Sequence, residues 1–376
     1  MEAVTQPEAP VIKKSFASST LMRVVKYTGV RLVVLFVTVM VAIYLTILIA
    51  NMGGYVDTMM RAEIEYNVTQ IVANNPNSQN MSTEQKKTMA EQMIALEIRR
   101  MGLDQPQAVR NFRFLSNALT LKLGYATSML SDTGSRTVRL ILLERLPATL
   151  LLMGSSQLLL FFASLFLGLS LSRQYGSVWD KLVILLTPTS AAPGWFYGIF
   201  MILIFAALLR IMPFGGLVSS PPPENPVIFA LSVLQHLILP AFSLFFSGFF
   251  LSIYGLRTFF LIYSSEDYVE MAKAKGLISR DIERRYILRP TLPNIITNFA
   301  LTLIGVWGGA IVTETIFNWP GLGRMFYTAI GLYDIPVIVG DTIIYAYLLA
   351  ITVFILEIIY ALVDPRVKIG GGSQVS

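Results

Sequence analysis

Long runs of apolar residues are the feature that most constrains this chain. Each run can form a helix that crosses the roughly 30 Å hydrocarbon core of a bilayer. Only 14% of the residues are charged, too few to cover a soluble protein of this length. We therefore predict an all-α membrane protein with six transmembrane helices, at 31–50, 147–171, 182–211, 231–262, 291–312 and 340–363.

The distribution of Lys and Arg predicts the orientation, because short cytoplasmic segments carry an excess of positive charge. The short segments 213–228 and 313–338, expected on the outer side, contain one basic residue between them, Arg324. An even number of spans places both termini on one side. We expect a multi-pass protein of the cytoplasmic (inner) membrane, with the N-terminal segment 1–30 and the tail 364–376 in the cytoplasm. The basic residues expected on that side include Lys13, Lys14, Arg23, Lys26, Arg173, Lys181, Lys273, Lys275, Arg280, Arg284, Arg285, Arg289, Arg366 and Lys368.

The segment 51–146 is long and carries charges of both signs. Long segments cross the membrane whatever their charge, so it is compatible with an extracytoplasmic location. The stretch from Ser82 to about Arg100 places apolar residues among charges and predicts an amphipathic helix. An Asn/Pro-rich loop at 74–80 precedes it. We interpret the segment as a helical extracytoplasmic insertion, followed by a permease core at 147–363.

The connection between the fourth and fifth spans, 264–289, is longer than a turn requires. Ser264 followed by Asp267 resembles a capping box and predicts the start of a short helix. Such a helix would be unstable alone in water, which favours a role in contact with a partner. One face of it is expected to carry Tyr268, Met271 and Ala272.

The same connection contains its own stop signal. Gly276 can adopt the left-handed conformation that ends a helix. Ser279 can cap a second helix that runs through Arg285. The pair Arg289-Pro290 then opens the next span. The pattern therefore predicts a helix, a glycine turn and a second helix.

This connection resembles the EAA loop of ABC importer permeases. Glu270-Met271-Ala272 and Gly276 follow the pattern Glu-Ala-Ala-x-x-x-Gly, with Met271 in place of the middle Ala. The tail Tyr286-Ile287-Leu288-Arg289-Pro290 departs from the family's Ile-x-Leu-Pro. The surrounding EDYVEMAKAKGL is similar to the dipeptide, oligopeptide and nickel branch. Further strings of that branch occur in order: STEQ (82–85), MGLDQP (101–106), LGYA (123–126), ERLPATLLL (144–152), HLILPA (236–241), ETIFNWPGLGRM (314–325) and DPR (364–366).

The resemblance implies a type I importer-like permease whose cytoplasmic helix couples it to an ATPase. The implied partners are a second homologous permease, two ATP-binding subunits, an extracytoplasmic substrate-binding protein and membrane lipid, with no nucleic acid. No phosphate-binding loop of the form G-x-x-x-x-G-K-[ST] occurs in the chain, so ATP and Mg²⁺ are expected on the partner subunits. The expected coupling residues are Asp267, Tyr268, Glu270, Met271, Ala272, Lys275, Gly276 and Arg284.

The segment around Trp319-Pro320-Gly321 and Gly323 has two interpretations. It could be an ordinary extracytoplasmic loop. Its apolar flanks favour instead a re-entrant segment buried in protein, which could form an outer gate.

Several isolated polar or breaking residues also have competing interpretations. His236, the only histidine, is expected to be structural, because a metal site would need further ligands nearby. Arg257 and Glu357 are expected to pair or to extend to the membrane surface. Prolines 188, 193 and 240 interrupt spans three and four, which fits either a pathway lining or simple kinks. No catalytic, metal or cofactor site is expected.

Three function classes fit a polytopic chain. A permease driven by a partner ATPase is favoured by the connection 264–289. A secondary carrier would show intramembrane ion-coupling charges or inverted repeats, and an intramembrane enzyme would need convergent catalytic groups. Neither feature is evident in the sequence. Import of di- and oligopeptides is the preferred expectation, with nickel, glutathione or oligosaccharides as alternative cargo.

Overall fold

The computed structural model describes residues 16–51, 54–75, 81–304 and 310–363. Within these ranges the regular structure is helical, and Tyr125 and Thr137 form an isolated β-bridge. The tail 364–376 and residues 76–80 of the predicted loop lie outside them. The helices are α1 Phe16–Asn51, α2 Tyr55–Asn74, α3 Thr83–Met101, α4 Gln107–Leu119, α5 Val138–Arg173, α6 Val178–Leu186, α7 Gly194–Met201, α8 Pro226–Ser264, α9 Asp267–Ala274, α10 Ser279–Asp281, α11 Arg289–Ile304, α12 Ile311–Ile316, α13 Leu322–Gly331 and α14 Ile335–Val363.

Four helices in the described ranges are long and apolar enough to cross a membrane: the part of α1 from Thr28, α5, α8 and α14. A fifth span is formed if α6 and α7, with the 3-10 turn and π-helix that extend them, are counted together. Helix α11 covers most of the predicted fifth span but has only 16 residues, and residues 305–309 beyond it are not described. The multi-pass architecture is therefore clear, and the count of six spans stays a prediction.

The proline-containing spans behave differently from each other. The third span bends by 97° between Val178–Ala191 and Gly194–Leu208, at a 3-10 turn that contains Pro188 and ends before Pro193. The predicted interruption of the fourth span is wrong, because α8 continues through Pro240. Pro240 is buried beside Leu239 and Ala241, which pack against Leu152 of α5. This packing supports the helix where one backbone hydrogen bond is missing.

Helices α5 and α8 cross at very short distance. A Cβ atom added to Gly168 of α5 would lie 2.9 Å from the Leu256 Cβ and 3.1 Å from the Arg257 nitrogen of α8. A Cβ added to Gly248 of α8 would lie 2.8 Å from a methyl group of Leu160. Small residues at helix contacts let two backbones approach in lipid, where dispersion replaces the hydrophobic effect as the main attraction.

Helix α5 begins at Val138, earlier than the predicted start of the second span at 147. Val138, Ile141 and Leu142 are fully buried and pack with α13 and α14. The charged residues Arg139, Glu144 and Arg145 lower the hydropathy of this stretch, so the apolar run alone starts later than the helix. Tertiary packing therefore extends the helix beyond its apolar run.

The described part of the insertion contains three helices, and two of them, α2 and α3, share a small core. Ser82 and Gln85 form a reciprocal capping box at the start of α3, which confirms the amphipathic helix predicted there. Ile64, Val68 and Leu103 are buried between α2 and α3. Helix α4 instead packs against the membrane helices, with Leu115 and Ala118 beside residues of α1 and α14.

The close crossing can be tested with two glycines of the same helix. Gly168→Ala is expected to lower the unfolding temperature, because its methyl group overlaps α8 and overpacking costs about 1–3 kcal/mol. Gly154→Ala is the control, since no described atom beyond the adjacent backbone of its own helix and its two chain neighbours lies within 4 Å of the added Cβ. Thermal unfolding of the detergent-purified chain measures both. Equal unfolding temperatures for the two variants would contradict the tight contact.

Candidate functional site

The start of the connection differs from the sequence prediction. Helix α8 continues to Ser264, whose hydroxyl donates to the Leu261 carbonyl at 2.8 Å. Glu266 occupies the N-cap position of α9 in an extended conformation without a side-chain cap. The predicted capping box of Ser264 and Asp267 is therefore wrong. The serine completes the last turn of α8 and is not available to cap the next helix.

The end of α9 agrees with the prediction. Gly276 has φ of +75°, the left-handed conformation that favours glycine. Its N–H donates to the Lys273 carbonyl at 2.9 Å, and the Leu277 N–H donates to the Ala272 carbonyl at 3.3 Å. These two bonds form a Schellman motif. The glycine turn therefore reverses the chain immediately after α9.

The reversal folds α9 back onto the following helix. Val269 and Ala272 are buried against Ile282, with Tyr286 and Ile287 partly buried beside them. Tyr268 and Met271 are instead exposed, at 38% and 60%. The three predicted residues lie on one side of α9 by helical spacing, with Tyr268 and Met271 exposed and Ala272 at the buried edge of that side. The sequence pattern could not show that the helix packs on its own successor.

The other expected coupling residues lie on the accessible side of this small unit. The Tyr268 ring is partly covered, and this burial, together with the nearby Glu266 carboxylate, raises the pKa of its hydroxyl. Ala272 is the buried exception and serves the internal packing. The expected residues that the structure places at the surface are Asp267, Tyr268, Glu270, Met271, Lys275, Gly276 and Arg284.

The second half of the connection continues into the membrane helix. Ile278 is the N-cap of α10, so Ser279 is the first helical residue and the predicted cap at Ser279 is wrong. A π-helix at Ile282–Leu288 joins α10 directly to α11. Glu283 in this segment pairs with Arg173 at the end of α5 at 2.8 Å. The connection is thus attached to both α11 and α5.

A buried ion pair lies close to this end of the bundle. The Arg257 guanidinium of α8 donates two hydrogen bonds to the Asp180 carboxylate of α6, at 2.8 and 2.7 Å. Asp180 also accepts the Gly176 N–H at 2.9 Å, and the Tyr175 ring lies 5.0 Å from the guanidinium carbon. Of the two alternatives predicted for Arg257, pairing is the one observed. Glu357 lies outside the described side chains.

The segment 314–325, which we call the buried turn, packs inside the protein with most of its residues buried. Trp319 is fully buried, and its indole N–H donates to the Ala148 carbonyl of α5 at 2.8 Å. The neighbouring Phe317 is 1% exposed, and its carbonyl accepts the Gly216 N–H at 2.8 Å. Burial on several sides agrees with the re-entrant interpretation and not with an ordinary surface loop. The gate role stays a prediction.

Glu314 is the polar centre of this segment and has no exposed surface. Its carboxylate accepts the Thr149 hydroxyl at 3.0 Å and the Arg324 N–H at 2.9 Å. Thr149 in turn accepts the Leu322 N–H at 2.7 Å. A Cβ on Gly321 would lie 2.5 Å from the Thr149 hydroxyl oxygen, so the predicted Gly321 is required for the close approach. A Cβ added to Gly323 would lie 3.0 Å from a carboxylate oxygen of Glu314.

Sequence analysis did not single out several residues that organise these sites. Asp180, Thr149 and Glu314 carry the contacts described above, and Asp334 is a further one. The fully buried Asp334 accepts the backbone N–H groups of Thr127, Ser128 and Met129 at 2.8–3.1 Å. An acidic residue beside an apolar run is a sequence signal for such a role. His236 is buried, and its Nδ1 lies 2.7 Å from the Ser232 carbonyl, consistent with a structural role.

Most of this chain matches a known transport family. The sequence family described as binding-protein-dependent transport system inner membrane component matches residues 146–369 of this chain. This chain belongs to that family. The matched range contains the buried turn, the connection 264–289 and helices α6–α14 of the permease.

Similar curated proteins carry transport names. The oligopeptide transport system permease protein AppB of Bacillus subtilis is 33% identical over 272 residues, which are 72% of this chain and 84% of AppB. The probable D,D-dipeptide permease protein DdpB of Escherichia coli is 33% identical over 292 residues, covering 72% and 83%. The glutathione permease protein GsiC of Salmonella paratyphi A is 28% identical over 278 residues, covering 74% and 85%.

The buried turn of the permease can be tested at Glu314. Glu314→Gln keeps the shape but replaces one accepting oxygen by a donor, so an N–H or a hydroxyl loses its partner at a cost of about 1–3 kcal/mol. The unfolding temperature of the detergent-purified chain should fall. Glu224→Gln, at an exposed site, should leave it unchanged. An equal effect in both variants would contradict the assignment of Glu314 as the centre of the turn.

Proposed function

We propose that this chain is one of two permease subunits of an ABC importer of di- and oligopeptides in the cytoplasmic membrane. Both termini and the connection 264–289 face the cytoplasm, and the insertion 51–146 faces the exterior. The second permease completes the translocation pathway. Two separate ATPase subunits bind ATP and Mg²⁺, and an extracytoplasmic binding protein delivers the cargo.

The observation that carries this proposal is the two-sided character of α9. Its inner side, Val269 and Ala272, is buried against the π-helix before α11. Its outer side exposes the apolar side chain of Met271 beside Tyr268 and Glu270. Buried aromatic and Met side chains are enriched at interface centres. We assign the outer side to a cleft of an ATPase subunit.

A load on α9 would be transmitted by its attachments to the bundle. The Schellman turn at Gly276 and the contact with Ile282 hold α9 to the helix that continues as α11. The ion pair of Arg173 and Glu283 adds a link to α5. Closure of the ATPase subunits could therefore move α9, α11 and the end of α5 as one body, a rigid-element mechanism of conformational change.

The contacts of α5 with the buried turn support the gate proposal. Ala148 and Thr149 bind Trp319, Glu314 and Leu322. A displacement of α5 would act on this turn directly. We propose that Trp319, Pro320, Gly321 and Gly323 belong to the outer gate.

Peptide cargo is supported by the names of AppB and DdpB, while GsiC keeps glutathione as an alternative. Selection is expected to reside mainly in the binding protein. Calorimetric titration of the cognate binding protein with di- and oligopeptides, and with glutathione, is expected to show tight binding of the peptides. Binding of glutathione alone would replace the cargo and leave the permease role intact.

The coupling role can be tested on the outer side of α9. Glu270→Lys and Met271→Asp should each weaken the ATPase interface by about 1–2 kcal/mol, which corresponds to roughly a tenfold loss. We expect reduced co-purification of the ATPase subunits and reduced vanadate-sensitive, substrate-stimulated ATPase activity. The unfolding temperature of the permease should not change, because both side chains are exposed.

Lys181→Glu is a matched control on the same side of the membrane, at the exposed end of α6. It changes the charge by two units, as Glu270→Lys does but with the opposite sign, outside the proposed contact and should retain the ATPase subunits. Unaltered co-purification of Glu270→Lys and Met271→Asp would remove α9 from the contact.

Because the chain has no cysteine, Met271→Cys can also be labelled selectively. Its reaction with an impermeant maleimide in intact cells would place α9 outside and contradict the proposed orientation.

A further inference from the structure

The end of α4 lies at the level of the membrane helices, although α4 belongs to the insertion. The Tyr347 hydroxyl of α14 donates to the Leu119 carbonyl, the last residue of α4, at 3.1 Å. Tyr347 lies about 18 Å along α14 from its start at Ile335, at 1.5 Å per residue. Counted from the predicted start of this span at 340, it still lies about 10 Å inside. The end of α4 is therefore below the membrane boundary.

The first half of α4 lies nearer that boundary. Asn51 is the last residue of α1, and its side-chain amide donates to Asn111 of α4 at 3.1 Å. The next residue, Phe112, has its ring centroid 6.0 Å from that of Tyr44. Tyr44 lies about 10 Å before the end of α1. Helix α4 therefore descends beside α1, and its C-terminal end points towards the centre of the bilayer.

Helix α4 ends in a turn at this depth. Leu121 has φ of +55°. Its N–H donates to the Ala118 carbonyl at 3.0 Å, and the Lys122 N–H donates to the Asn117 carbonyl at 2.8 Å. These two bonds form a Schellman motif. The turn satisfies carbonyl groups of the helix end within the chain, as hydrocarbon surroundings require.

The chain then returns along α14. A methyl group of Leu123 lies 3.5 Å from the Cβ position of Gly340. The N–H groups of residues 127–129 donate to Asp334, immediately before α14. The contacts at positions 347, 340 and 334 of this chain follow an ascent of about 20 Å. Residues 119–127 can cover that distance in an extended conformation.

One side of α4 is covered by the bundle and the other is exposed. Leu115 and Ala118 are buried in the cluster that joins α1, α4 and α14. Val109 and Phe112 are 51% and 64% exposed. Ser116 is exposed as well and continues their stripe at helical spacing. The exposed stripe therefore runs from the boundary down to the depth of the turn.

Two basic side chains of this region are compatible with that position. The Arg113 guanidinium donates to the Arg100 carbonyl at the end of α3 at 3.0 Å, so its charge extends towards the polar part of the insertion. Lys122 lines a cavity of about 530 Å³ together with Asn51 and Asn117. A charged side chain at membrane depth is tolerated where it lines a polar cavity.

We propose that residues 111–127 form a re-entrant hairpin in the half of the membrane nearest the insertion, and that the exposed stripe of α4 contacts lipid chains. Val41 of α1 lies three residues before Tyr44, hence on the same side, and is 48% exposed. Phe112 therefore continues an apolar surface of α1 at the depth of the hydrocarbon. The hairpin anchors the insertion to α1 and α14. This inference goes beyond the proposed function and does not depend on the cargo or on the coupling role of α9.

Spin labels on the exposed stripe test the depth of α4. Because the chain has no cysteine, Val109→Cys, Phe112→Cys and Ser116→Cys each provide one labelling site. The full chain is reconstituted in phosphatidylcholine vesicles. Collisions of each nitroxide are measured with oxygen, which concentrates in hydrocarbon, and with a water-soluble nickel complex. The ratio of oxygen to nickel collisions should rise from position 109 to position 116, because α4 descends about 10 Å between them.

Leu96→Cys is the matched control. Leu96 of α3 is 65% exposed, like Phe112, but it belongs to the part of the insertion outside the proposed hairpin. Its nitroxide should collide mainly with the nickel complex. Nickel-dominated collisions at Phe112→Cys and Ser116→Cys would overturn the re-entrant position. Equal ratios at the three stripe positions would indicate a helix that lies flat on the membrane surface, and would overturn it as well.

The lipid contact is tested by repeating the measurement with the co-expressed second permease. Frequent oxygen collisions at Phe112→Cys in both samples would support lipid as the partner of this stripe. Loss of collisions with both reagents when the second permease is present would assign the stripe to a subunit interface and overturn the lipid contact. These measurements require no transport or ATPase activity. Failure of the hairpin is therefore distinguishable from failure of the proposed function.

Discussion

The close approach of α5 and α8 is the contact on which the rest of the bundle depends. Gly168 brings the backbone of α5 against Leu256 and Arg257, and in lipid such close packing supplies much of the attraction between helices. At the same level, Arg257 binds Asp180 in a two-point ion pair. A single buried charge without its partner is strongly destabilising. The pair therefore requires α6 and α8 to keep one relative position at the end of the bundle that leads to α9.

Helix α5 also relates the two segments proposed to be functional. Thr149, in the first half of α5, contacts the buried turn, and Arg173, the last residue of α5, contacts the connection. At 1.5 Å per residue, these positions are about 36 Å apart, a little more than the hydrocarbon thickness of a bilayer. A continuous helix of this length is stiff compared with a loop. Motion at the coupling segment can therefore reach the buried turn through one element, without a chain of flexible contacts.

The insertion is organised separately from helix α5. It has its own core between α2 and α3. It contacts the bundle through α4, which packs against α1 and α14. Asp334 adds a polar link, because its carboxylate receives three backbone N–H groups from residues 127–129. A cavity of about 530 Å³ lies within this junction.

The sequence by itself determined the features that depend on neighbouring residues. Apolar runs located the four long membrane helices and the bent third span, Ser82 to Arg100 indicated α3, and Gly276 marked the end of α9, because span length, amphipathic periodicity and left-handed backbone are local properties. The family resemblance also rested on ordered local strings. Only the tertiary structure decided which face of α9 is buried, that α8 continues through Pro240, and that Asp180 pairs with Arg257. Those outcomes depend on groups far apart in the chain, whose desolvation and packing energies arise only when the helices are assembled.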